Sequence, residues 1–398
     1  MNAEVPMHEI RPVSGVPDAA VPHQLAAPPL AQRPVARPAG RRRPGARRAA
    51  AVPSSVPWWG TWAVLVAVAV ATGGAAVVAS LDVGIRLRDP EGFLGPSYVR
   101  LPVLAAGFLL VDLLPRLALR LRGCGGDRAA AARDLLRERL APARLGRVLL
   151  GLLAFYVTYV GYRNLKSYLP VLREDLHDAQ LLRLDEAMSL GADPADLLHR
   201  VLGTGAAAHL LSAVYLFFLF FVPFSLAFAL VWVRDPRDGY WYVTALGLNW
   251  ALGTASYYLL PSLGPVYADP AHYADLPATG VSDLQESLMR SRLLVLADPY
   301  GTDRIHGIAA FASLHVSIVL TAALVAQGLR LWRVVRWSLW AYTALTAVAT
   351  VYFGWHYLVD VLAGAAIAAL AVWGGALGTR AWRHRPGALP PRGVLRRG

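Results

Sequence analysis

Eight apolar segments of spanning length, separated by clusters of arginine, constrain this chain more than any other feature. They lie near 58–80, 100–118, 146–162, 206–232, 240–260, 310–329, 335–354 and 357–378. In a bilayer core each backbone N–H and C=O must be satisfied without water, which selects helices for single segments of this length. Composition agrees: 56% of residues are hydrophobic and only 16% charged, where a soluble chain carries about a quarter. The second segment is the weakest, because Asp112, Pro115 and Arg116 interrupt it. The expected fold class is all-α, a polytopic integral membrane helical bundle of about eight transmembrane helices.

The net charge is +13, which in a soluble chain would raise nucleic-acid binding. Its distribution excludes that reading, because the arginines gather between apolar segments and at both ends. The loop at 116–147 holds nine of them. Further groups are Arg234 and Arg237, then Arg330, Arg333 and Arg336, then six in the C-terminal tail. The loop at 163–205 instead has five basic residues against seven acidic ones. The positive-inside bias then puts both termini and the arginine-rich loops in the cytoplasm, with 81–99, 163–205 and 261–309 outside. Residues 1–57, rich in Pro, Ala and Arg, read as a disordered basic arm near anionic headgroups. The chain divides into that arm, two N-terminal spans (58–118), a basic cytoplasmic linker (119–145), a six-span core (146–378) and a basic tail (379–398). Cys124 is the one cysteine, so neither an internal disulfide nor a Cys-based metal site is available.

Three polar clusters fall on the outer side. In "FASLHVS", Ser313 and His315 stand where the outer loop enters the sixth segment. A helix N-terminus there offers free N–H groups to a phosphate, while a capping serine beside an interfacial histidine explains the same residues. In "YFGWHYLVDVLAG", His356 and Asp360 are four apart, so the carboxylate can hold one imidazole proton and leave the other nitrogen as base or nucleophile. A structural His–Asp pair is the rival, but ionisable pairs at a span's edge are costly unless used. In "YRNLKSYLP" stands Lys166, the chain's one lysine. Arg173 follows seven residues on, two helical turns along, and Arg163 is a third cation on the segment. Solvated basic side chains are the bland reading of all three.

These residues resemble the type 2 phosphatidic acid phosphatase (PAP2) superfamily, whose motifs are K-x6-R-P, P-S-G-H and S-R-x5-H-x3-D on a six-helix core. Lys166 and Arg173 match the first, with Glu174 for proline. Ser313 and His315 match the second, with Ala312 and Leu314 for proline and glycine. His356 and Asp360 match the third, with Ala349 and Thr350 in place of serine and arginine. "FASLH" and "HYLVD" are most similar to the inositolphosphotransferase branch, which includes inositol phosphorylceramide synthases. "PSLGPVY" and "RLDEAMSLGADP" also resemble its bacterial members. The likeness covers about 146–378.

The resemblance implies phosphoryl or phosphodiester transfer in two steps without metal or cofactor. His356, oriented by Asp360, would form a phosphohistidine-type intermediate and His315 would protonate the leaving alcohol. Lys166, Arg173, Arg163 and the Ser313 region would hold the phosphate. Membrane lipids would be donor and acceptor, or water the acceptor. The cation missing at Thr350 favours a diester donor, with one negative charge, over a monoester with nearly two. Arg290, Arg292 or Arg304 could restore that charge. A lipid phosphate or polyprenyl diphosphate phosphatase of the same superfamily is the near alternative. A transporter or scaffold is the distant one, though internal repeats are not evident. "RDPRDGYW" carries Asp238-Gly239 but lacks the continuation a CDP-alcohol phosphotransferase needs.

Overall fold

The computed structural model describes residues 58–92, 95–123, 125–233 and 235–381. The arm expected over 1–57, and the tail beyond 381, lie outside the described residues. Among the described residues, thirteen α-helices follow in order. They are α1 (Ala63–Val83), α2 (Ser97–Gly123), α3 (Arg128–Arg139), α4 (Pro142–Leu172), α5 (Asp178–Met188), α6 (Pro194–Leu202) and α7 (Ala206–Val231). Then come α8 (Pro236–Leu259), the short α9 (Pro265–Ala268), α10 (Gly280–Ala297), α11 (Leu314–Gly328), α12 (Arg333–Tyr352) and α13 (Leu358–Thr379). One two-residue antiparallel pair, Glu91–Gly92 with Gly95–Pro96, precedes α2.

Each of the eight apolar segments is helical. Five stretches are long and apolar enough to cross a membrane: α1, α2, Arg128–Leu172 with α4, α7 and α13. This suits an integral membrane protein. α11 is apolar but only 15 residues long. α8 and α12 reach 24 and 20 residues but carry more polar groups and fall outside that set. The loops hold more helix than apolar periodicity predicts. α3 lies in the basic linker, α5 and α6 in the loop at 163–205, and α10 in the loop at 261–309. Local chemistry marks two of these starts: Asp127 and Asp193 accept backbone N–H bonds at the N-termini of α3 and α6, with Pro194 in the first turn of α6, and Asp235 with Pro236 does the same for α8.

α8 packs on α4, α11 and α13, and α1 packs on α4. Small residues set the α1–α4 approach. A methyl group on Gly161 would stand 2.9 Å from the Thr72 carbonyl oxygen. Between α8 and α11 runs a buried polar ladder. The Ser317 hydroxyl donates to Asn249 Oδ1, and Asn249 Nδ2 donates to Thr321 Oγ1 at 2.9 Å. Satisfied side chains of this kind hold helices together where water is absent.

Candidate active site

His315 stands in the first turn of α11, and the loop before it is pinned from several sides. Ser313 is the N-cap: its hydroxyl accepts from Val316 N at 3.4 Å, and its own N–H donates to the Asp360 carbonyl at 3.0 Å. The Ser256 hydroxyl accepts from Ala312 N (3.0 Å) and donates to the Phe311 carbonyl (3.2 Å). Ser262, in "PSLGP", accepts from Phe311 N through its hydroxyl and from Ala310 N through its carbonyl. The imidazole of His315 then stacks on Tyr215, 4.6 Å between centroids, and Tyr215 stacks on Trp355 at 5.2 Å.

His356 sits in the tight turn between α12 and α13. Gly354, at φ 66°, allows the chain to double back, so that both Trp355 N and His356 N reach the Thr350 carbonyl. α5 fixes the far side of this turn. Asp185 accepts from Leu358 N (2.5 Å) and Val359 N (2.9 Å) at the start of α13. Asp178 accepts from Leu263 N, Gly264 N and the Tyr357 hydroxyl. These two aspartates are seven residues apart on one face of α5. That spacing was the available signal for a role that sequence reasoning missed.

The two imidazoles meet with centroids 5.8 Å apart. Nδ1 of His356 lies 3.3 Å from Asp360 Oδ2, which also accepts from Tyr357 N at 3.0 Å. Asp360 is fully buried, and its Oδ1 has no hydrogen-bond partner among the described residues. Burial first, and then the Lys166 charge, push the His356 imidazole down to about 3 against a backbone bond with Ala310. It is therefore neutral at ordinary pH, with Nδ1 engaged by the carboxylate.

Both rings line a cavity of about 180 Å³, together with Arg163 and Lys166 of α4. The Lys166 ammonium lies 4.7 Å from the Tyr257 ring centroid and 5.9 Å from that of Tyr162. Three donors of lining residues are buried with no partner among the described residues: Arg163 Nε, Trp250 Nε1 and Trp355 Nε1. Such orphans call for an explanation, and an anion in the cavity would supply one. The indoles gave no motif by which the sequence could reveal them.

The expected pairing of Lys166 with Arg173 is corrected. α4 ends at Leu172, so helical phase does not carry to Arg173. Its guanidinium turns away to Asp175 (2.7 Å) and the Tyr258 carbonyl (2.5 Å) and does not line the cavity. Arg163, one turn before Lys166, is the second cation. Ser313 also stays off the lining, its hydroxyl turned to the α11 backbone. Thr350 is buried, its hydroxyl bonded to the Ala347 carbonyl. Of the outer-loop arginines, Arg290 pairs with Glu286, and Arg304 is exposed. Arg292 instead reaches a buried His306 at 3.1 Å. Burial, with Arg292 beside it, pushes the His306 imidazole well below its usual range.

Residues 179–374 match the family model described as PAP2 superfamily. No curated protein and no solved structure matches the chain. The matched stretch holds His315, His356, Asp360 and Asp185, while Arg163, Lys166 and Asp178 lie before it. Over residues 179–374, just under half of its length, this chain is similar to the PAP2 superfamily.

Proposed function

We propose that the protein transfers a phosphoryl or phospho-alcohol group to or from a membrane lipid, with His356 as nucleophile and His315 as general acid and base. The observation that carries this is the meeting of two imidazoles, 5.8 Å apart, at a cavity that also presents two cations. Similarity to the superfamily over residues 179–374 supports lipid phosphatase or phosphotransferase chemistry in general.

In the first step His356 Nε2 attacks phosphorus. The bond from phosphorus to the leaving oxygen breaks, and His315 gives that oxygen its proton. In the second, His315 takes the proton of the incoming hydroxyl, a new P–O bond forms, and the P–N bond breaks to restore His356. Asp360 holds the Nδ1 proton throughout. Arg163, Lys166 and the indole N–H groups of Trp250 and Trp355 meet the phosphate oxygens as charge develops on them. Ser313 is a positioning residue, which caps α11 and so fixes His315. By the charge bias the site faces the extracytoplasmic side.

With Thr350 in the place of an arginine, and Arg173 occupied elsewhere, a singly charged phosphodiester donor fits the cavity. This makes the protein a transferase, with phosphoinositol as one headgroup of the right class. A lipid phosphate phosphatase has one observation of its own: Arg163 and Lys166 together balance a dianion. Incubating purified protein with lipids labelled at phosphorus separates the two, since a new labelled lipid means transfer and free phosphate means hydrolysis. Lipid turnover that His356→Ala leaves unchanged would sink both and favour a non-catalytic transporter or scaffold.

A further inference from the structure

Asp112 and Arg116 are anomalies in an apolar helix, and the catalytic reading does not use them. They lie at the opposite end of the bundle from the two histidines. The 22 helical steps from Arg144 to Lys166 in α4 extend about 33 Å, close to the thickness of a bilayer's hydrocarbon core. Asp112 is nearly buried and meets three guanidiniums, Arg116 at 3.0 Å, Arg139 at 3.3 Å and Arg144 at 3.7 Å. Arg147 joins them around a cavity of about 370 Å³. Four arginines against one aspartate leave a local charge of 4 − 1 = +3. Glu138 touches Arg139 only at 3.9 Å, is more than half exposed and also serves Arg120. Arg144 spends one donor on the Val231 carbonyl. Arg139 Nε is buried without a partner, and Arg147 makes no ion pair, among the described residues. One carboxylate cannot satisfy this set of donors, since each guanidinium brings five N–H bonds.

An apolar groove of about 760 Å³ begins where this cavity ends. Phe108 and Val111 of α2 face Phe217, Phe221, Phe224 and Phe228 of α7 across it. Trp232 lines both cavity and groove, and its indole donates to the Phe108 carbonyl at 3.0 Å. On α2, Phe108, Asp112 and Arg116 recur every four residues, so one helix face runs from greasy to charged. An amphiphile with an anionic head and an alkyl tail matches both halves at once. Basic pockets between spans on the cytoplasmic side suit anionic headgroups.

We propose that this cavity and groove form a second lipid site, which seats one anionic phospholipid with its phosphate on Arg139, Arg144 and Arg147 and an acyl chain along the phenylalanines. The occupant is a bound lipid in the leaflet opposite the catalytic cavity, not the transferred substrate. The site stands whether or not the catalytic reading holds.

Native mass spectrometry of the full-length purified protein in mild detergent tests it, with phosphatidylglycerol, phosphatidylcholine and glycerol phosphate as probes. The expected result is one retained phosphatidylglycerol per chain, little phosphatidylcholine, and no displacement by glycerol phosphate. Arg139→Gln with Arg147→Gln should weaken phosphatidylglycerol roughly thirtyfold, and Arg147→Lys should restore most of the Arg147 contribution. Arg147 has no ion pair to break, so Arg147→Gln alone remains informative if the double variant misfolds. Equal retention of the two phospholipids, unchanged affinity in Arg147→Gln, or displacement by glycerol phosphate would each overturn the proposal.

Discussion

At His356 two influences divide the imidazole's labour. Burial and the Lys166 charge keep it neutral, and Asp360 claims Nδ1, so in the proposed role of nucleophile it needs no deprotonation before attack. His356→Ala should therefore abolish turnover and the acid-labile phosphoenzyme, both read with labelled lipid after rapid quenching. His315→Ala should lower kcat by roughly 10²–10⁴-fold, yet leave the phosphoenzyme trappable with a donor whose leaving group needs no proton. The cations give a sharper contrast. Lys166→Met or Arg163→Met should cost about 10²–10³-fold in kcat, as loss of one donor to a developing charge does. Arg173→Ala, a change at an exposed pair with Asp175, should stay within about twofold. Equal losses at Arg163 and Arg173 would refute the assignment of the second cation. The histidines and Asp360 were legible because their spacing survives in the motifs. That Arg163 and not Arg173 lines the cavity was not, because it turns on where α4 ends.

The N-terminus of α13 is the element on which the site is built, and α5 holds it. Burial pushes the Asp185 carboxyl up to about 6, against the pull of the Val359 and Leu358 N–H groups. Unfolded, the same group titrates near 3.8. Between those values the native state binds more protons than the unfolded chain, so Asp185 makes stability fall as pH rises from about 4 to about 6. Asp185→Asn should remove that slope. The observable is the wild-type minus variant difference in thermal midpoint across pH 4–7 in one detergent, roughly two pH units wide. A difference flat with pH would show that Asp185 titrates as an ordinary carboxylate. Gly264, at φ 99°, makes a matching demand on the neighbouring loop, where a methyl group would stand 2.5 Å from the Trp355 carbonyl oxygen. Apolar periodicity located the five helices long and apolar enough to cross a membrane, but none of these supports. α5, α6 and α10 are short amphipathic or polar helices that the period of a span does not describe, and their caps lie in loops.

At the scale of the whole chain, the charge bias leads us to expect the basic linker and the candidate active site on opposite sides of the membrane, and this rests on how many helices cross. Length and hydropathy admit α4 and α7 but not α8. The linings supply what hydropathy lacks: Pro236 and Tyr240 at the start of α8 border the arginine cavity, while Trp250 and Tyr257 near its end border the catalytic one. α4 likewise runs from Arg144 and Arg147 to Lys166, so α8 travels between the same two levels as a helix that qualifies. With α8 counted as a span, the chain would make three crossings from α3 to the loop before α11, α4, α7 and α8, and an odd number would put the two places on opposite sides. Cys124→Ser provides a background without cysteine, into which Ala129→Cys in α3 and Asp303→Cys in the exposed loop can be placed singly. A membrane-impermeant maleimide applied to intact cells should label Asp303→Cys and spare Ala129→Cys until lysis. Labelling of both or of neither would make the crossings even and remove α8 from the membrane. Labelling of Ala129→Cys alone would keep α8 as a span but invert the chain, carrying the histidines to the cytoplasm and the arginine cavity outside.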